Sequence, residues 1–144
     1  MINRWNSVVG VNDEVFHLGD FAFLKETEIM EILLRLNGRK YLIFGNHDQT
    51  IMNSKLVQNQ FVWCKHYYEL KRHGHTICLF HYPIGEWNKA HRGAIHLHGH
   101  CHGNYVYPRE GRCMDVGSNL INYTPIDFHE VVSRLINKPL LKHH

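Results

Sequence analysis

Tyr41-Leu42-Ile43-Phe44-Gly45-Asn46-His47-Asp48 carries an apolar run into a glycine and then into three polar residues that can serve a metal or a phosphate. Val15-Phe16-His17-Leu18-Gly19-Asp20 and Ile95-His96-Leu97-His98-Gly99-His100-Cys101-His102 repeat the pattern, and Ile77-Cys78-Leu79-Phe80 ends directly in His81. Short runs rich in branched and aromatic residues read as buried strands. Open α/β sheets bind ligands in the crevice beyond the carboxyl ends of their strands. A glycine there lets the chain turn sharply and lets its backbone approach another group closely. Four strand ends that deliver Asp, Asn and His to one rim point to a metal-centred site.

The composition fits this reading. With 144 residues, 44% hydrophobic and 20% charged, the chain is one globular domain over residues 1–142. It lacks a long apolar span and a basic-then-apolar leader, so the expectation is a cytoplasmic protein with no membrane partner. A formal charge of +3 is spread over scattered basic pairs. That argues against a nucleic-acid groove and leaves a phosphate-ester small molecule or nucleotide as the expected partner. Cys64, Cys78, Cys101 and Cys113 show no C-x-x-C spacing and read as reduced thiols, with Cys101 as filler between two candidate ligands. Histidine is the outlier, with 14 in the chain and six between His81 and His102. His143-His144 reads as a tag remnant.

Met1 to Gly10 reads as a helix end and a turn, and Glu26 to Leu36 as a helix stopped by Asn37-Gly38. Gln49 to Val57 reads as a short helix leading to Phe61-Val62-Trp63. Tyr67 to Leu70 and His75 to Phe80 read as a hairpin turned by Arg72-His73-Gly74. A strand over Arg112 to Val116 precedes a final helix that Thr124-Pro125 opens, with proline at its first position. Early and late helices around central hairpins predict an α/β fold with mixed strands.

Gly19-Asp20, Gly45-Asn46-His47-Asp48, His81 and Gly99-His100-Cys101-His102 occur in the order and approximate spacing of the calcineurin-like metallophosphoesterases. Over nearly its whole length the chain resembles the small bacterial and phage members of that family. The resemblance implies a two-layer mixed β-sandwich flanked by helices and a site for up to two divalent cations. By position, Asp20 bridges both ions; Asn46, His81 and His100 complete one shell, and His102 serves the other. His47 stands beside the scissile phosphate, and Asp48 is its orienting partner. The resemblance further implies hydrolysis of phosphate mono- or diesters by metal-activated hydroxide. Manganese leads among the expected metals, and iron, nickel and zinc also suit the donors. Independently of the family, His100 and His102 stand two apart, so in extended chain both side chains point to one side. Arg92 is a weak candidate for contacting substrate, and Tyr82 and Trp87 are expected to wall the pocket or the core.

One part of the family pattern is absent. The family opens with a strand ending in Asp-x-His, and no such pair precedes Asp20. That leaves Asp20 and His102 alone on one ion. It also predicts a missing first strand and self-association through the sheet it would expose. The same absence motivates a second reading, a degenerate single-metal scaffold of this fold without turnover. A nuclease is a third, with little support from the basic residues.

Overall fold

The computed structural model describes residues 1–142; the expected tag remnant His143-His144 lies outside the described residues. Strands β1 (Glu14–His17), β2 (Arg39–Ile43) and β3 (Cys64–Lys65) form a parallel sheet in the order β1-β2-β3. Strands β4 (Tyr67–Arg72), β5 (His75–Phe80), β6 (Ile95–His98) and β7 (Cys113–Asp115) form a second sheet in that order. Only β4 and β5 run antiparallel; β5, β6 and β7 are parallel neighbours.

Alternation along the strands decides what faces what. Phe16, Leu18 and Ile43 from the first sheet share one apolar cluster with Ile77, Leu79, Ile95 and Leu97 from the second. The two sheets therefore pack face to face, and helix α5 (Phe128–Leu135) adds Val131 and Leu135 to the same core. The outer face of the first sheet, carried by Val15 and Leu42, lies under four helices. These are α1 (Ile2–Val8), α2 (Glu26–Arg35), α3 (Gln49–Met52) and α4 (Lys55–Gln58), which contribute Trp5, Ile29, Leu33, Ile51 and Val57. Each fully buried Ile or Leu there stabilises the fold by about 1.5–3 kcal/mol. On the outer face of the second sheet, Cys78 and Cys113 pack with Trp87, Ala90, Ala94 and Leu141. The fold is thus α/β, with one parallel and one mixed sheet flanked by helices. Among the described residues no helix is long and apolar enough to cross a membrane.

Three boundaries differ from expectation. The segment 49–57 breaks into α3 and α4 because Ser54 caps the second helix, its hydroxyl accepting from the Val57 N–H at 3.2 Å. Pairing with β2 begins at Val62, whose N–H donates to the Lys40 carbonyl, although regular strand is confined to Cys64–Lys65. Pro125 is not the first residue of the last helix. Asp127 caps α5 instead, its carboxylate accepting from the His129 N–H at 2.8 Å, which leaves proline in the approach. The hairpin turn is as expected: His73 and Gly74 both take positive φ (49° and 77°), the primed geometry that matches strand twist.

His96 is fully buried on β6, with Nδ1 donating to the Cys78 carbonyl and Nε2 accepting from the Ile84 N–H. Burial pushes its pKa down to about 4 from 6.5, so the folded ring stays neutral where an unfolded one charges. The unfolded chain then binds the extra proton between those values. Stability from this ring is complete above pH 6.5 and falls by about 3 kcal/mol as pH drops to about 4. His96→Gln should flatten the dependence of the urea midpoint on pH across that window relative to the parent. An unchanged slope would contradict this.

Candidate metal centre

Parallel pairing within each sheet brings the carboxyl ends of β1 and β2 to one edge, and those of β5 and β6 to another. The two edges meet. Asp20 follows β1, Asn46 and His47 follow β2, His81 follows β5 and His100 follows β6. The ligand atoms of Asp20, His81 and His100 lie within 4.8 Å of one another, a grouping that could hold a metal ion. Asn46 sits among them, its Oδ1 2.9 Å from His81 Nε2 and 3.0 Å from His100 Nδ1.

The tautomer of His81 gives this geometry its meaning. Its ring is buried, and Nδ1 lies 2.7 Å from the Leu18 carbonyl, which can only accept. Nδ1 therefore carries the proton, and in the neutral ring Nε2 turns a lone pair toward Asn46 Oδ1 and toward Asp20 Oδ2 at 3.4 Å. Three lone-pair atoms facing one another repel unless a positive charge sits between them. A ring nitrogen that donates to a backbone carbonyl while its partner nitrogen faces other donor atoms is the usual posture of a metal-bound histidine. One carboxylate, one amide oxygen and two imidazoles suit a borderline first-row cation.

The backbone is shaped for the same end. Asp20, His100 and His102 all take left-handed conformations, with φ of 54°, 66° and 49°. Such strain gathers at functional sites, and Asp and His tolerate it better than most residues. Gly19, at φ 94°, and Gly45 let two loops interlock. A Cβ on Gly45 would collide with the Asp20 carboxylate and backbone nitrogen and approach His81 Cε1 to 2.9 Å. The close approach that these glycines permit is loop against loop. Gly45→Ala should weaken Mn²⁺ binding at least about tenfold and destabilise the fold by about 1–3 kcal/mol, read by calorimetry and urea unfolding. Gly85→Ala, whose added carbon meets nothing within 4 Å, is the control expected to stay within about 0.5 kcal/mol.

Other expected site residues stand elsewhere. Asp48 does not orient the His47 side chain. Its buried carboxylate accepts from three backbone N–H groups: Gly45 at 2.7 Å, Phe21 at 2.8 Å and Asp20 at 2.9 Å. It staples the loop after β1 to the loop after β2. His47 is exposed, its N–H donating to Asp20 Oδ1 at 2.9 Å and its ring tilted against Phe23. His102 does not join the group; its Nδ1 pairs with Asn119 Oδ1 at 3.1 Å. The left-handed turns at His100 and His102 defeat the same-side rule, which needs extended chain. Arg92 closes a short 3-10 turn before β6, at the end of that strand opposite His100, so it is not placed to contact this site.

Trp87 is core, its indole N–H donating to the Ala94 carbonyl, whereas Tyr82 stands at the site, 4.7 Å from the His100 ring. His96 and His98 are structural, each with both ring nitrogens bonded on the outer layer. Burial and the Asp115 charge push the Cys101 thiol up in pKa, away from the thiolate a metal would need. The chain does contain one Asp-x-His, Asp127-Phe128-His129, but it forms the cap and first turn of α5. The His129 ring lies 5.2 Å from His73, at the hairpin end opposite His81, so the pair serves no metal here.

No family model matches the chain. It is similar to the uncharacterized protein MJ1445 of Methanocaldococcus jannaschii, at 29% identity over 145 aligned positions that cover 96% of this chain and 74% of that protein. It is also similar to the gene 66 protein of Mycobacterium phage L5, at 32% identity over 136 positions that cover 76% of this chain and 66% of that one. Among solved structures, the protein of unknown function AQ665 from Aquifex aeolicus matches with a TM-score of 0.67 and 24% identity, over 92% of this chain and 82% of that one. That likeness speaks to the fold alone.

Proposed function

We propose that this chain is a metal-dependent phosphoesterase of the calcineurin-like kind, hydrolysing phosphate mono- or diesters. The observation that carries the reading is the convergence of Asp20, Asn46, His81 and His100 from four strand ends, with His81 Nε2 turned toward two oxygens by the Leu18 carbonyl. These four residues would hold the ion, manganese being the first choice. When bound there, a divalent cation would supply a water nucleophile at neutral pH and would draw charge from a phosphoryl oxygen.

The chain's own groups supply the rest. Asp48 fixes both loops, so the donor atoms are set before substrate arrives. His47, exposed and tied to Asp20 by its backbone N–H, is the group proposed to protonate the departing ester oxygen through a ring nitrogen. Chelator-treated protein given Mn²⁺ should hydrolyse bis(p-nitrophenyl) phosphate. His47→Asn should lower kcat by about 10²–10⁴ while Mn²⁺ binding persists. Turnover indifferent to chelator and to this substitution rejects the reading.

A second reading, a single-metal scaffold without turnover, is favoured by one observation: His102 pairs with Asn119, and the grouped residues form one site. One metal per chain and no hydrolysis would select it. β1 has a strand neighbour on one side only among the described residues, which supports the expected self-association; light scattering that shows a monomer at high concentration would remove it.

A further inference from the structure

Two aromatic rings stand at the metal centre without being needed by it. Phe23 is 73% exposed, although the chain just before it is anchored. Phe21, two residues before it, is buried edge-to-face against Phe61 and donates its N–H to Asp48. The loop thus holds Phe23 with its ring 5.0 Å from that of His47. On the other side Tyr82 follows His81 directly and stays 38% exposed, with its ring 4.9 Å from His81 and 4.7 Å from His100.

Aromatic rings that stay partly exposed beside a polar centre offer flat apolar surface there. They are separate rings rather than one continuous apolar patch. That arrangement suits a planar group laid on a ring better than an alkyl chain, which needs a contiguous groove. A nucleotide is the commonest phosphate ester that carries a flat heteroaromatic group. We infer that the centre acts on nucleobase-bearing phosphate esters, with Tyr82 and Phe23 as the stacking platforms that select them. The inference rests on the phosphoesterase reading and names its substrate class.

Binding separates this inference from turnover. Protein with Mn²⁺ is titrated calorimetrically with adenosine 5′-monophosphate and with methyl phosphate, and hydrolysis of bis(p-nitrophenyl) phosphate is followed in parallel. The expected result is adenosine monophosphate bound about tenfold more tightly than methyl phosphate, the order of one base–aromatic stack. Tyr82→Ala and Phe23→Ala should each shrink that ratio, while Tyr82→Phe keeps the ring and the ratio. Equal affinities in the parent protein, or a ratio that survives both alanine variants, overturn the inference even where hydrolysis is metal-dependent. Absent hydrolysis counts against the phosphoesterase reading instead, and the binding ratio still decides the role of the rings.

Discussion

Asp20→Asn protein should fold like its parent and bind Mn²⁺ at least about a hundredfold more weakly, by calorimetry. The two halves of this result have separate causes. Asparagine tolerates the left-handed backbone at φ 54° and keeps an oxygen to accept the His47 N–H, so the loop retains its shape. It lacks the negative charge that Asp20 turns toward His81 Nε2 and the cation. Even partners one step removed from a metal typically cost 10–100-fold in affinity when lost, and a charged ligand costs more. Asp20→Ala should add a fold defect of about 1–2 kcal/mol, because alanine resists left-handed backbone and offers no acceptor to His47. Unaltered Mn²⁺ affinity in Asp20→Asn would remove Asp20 from the site.

Asp48→Ala should be the most destabilising single change at this rim. Three backbone N–H groups lose their acceptor at once, two of them in fully buried bonds. Each stranded donor costs about 1–3 kcal/mol, so a combined loss of about 4 kcal/mol is expected in urea unfolding. That is a large share of the 5–15 kcal/mol that ordinarily holds a domain together. Asp48→Asn should fall between, since its amide keeps one acceptor but turns an N–H toward another N–H. His47→Asn, at an exposed side chain, should move stability by no more than about 0.5 kcal/mol. Equal stability of Asp48→Ala and His47→Asn would mean that Asp48 is no staple.

Much of this was legible in the residues. Apolar runs that end in Gly-Asp, Gly-Asn-His, His and Gly-His located the strand ends, and parallel pairing brought four of those ends together. The pattern put Asp20, Asn46, His81 and His100 at those ends, and the resemblance singled them out from neighbours such as His47 and His102. The resemblance cast Asp48 as the orienting partner of the His47 side chain. Its actual partners, Gly45, Asp20 and Phe21, are backbone groups that no residue-type pattern reveals. The same-side reading of His100 and His102 used strand periodicity where the chain turns through left-handed residues, and His102 stands outside the group that Asp20, His81 and His100 form. Arg92, a weak candidate for contacting substrate, is separated from His100 by the length of β6.

Phe23 and Tyr82 illustrate a different limit. Tyr82 was expected to wall the pocket or the core, and nothing in the sequence singled out Phe23. Their exposure follows from where Phe21 and His81 anchor the chain, a tertiary fact. The orientation of His81 is of the same kind. Only the folded chain shows that the Leu18 carbonyl occupies one ring nitrogen and aims the other.

Anomalous scattering from a crystal grown with Mn²⁺ tests the centre most directly. One peak should lie about 2.0–2.3 Å from Asp20 Oδ2, Asn46 Oδ1, His81 Nε2 and His100 Nδ1 together. A map with no peak among these atoms, in which His81 Nε2 bonds directly to Asn46 or Asp20 through a proton, would contradict the account.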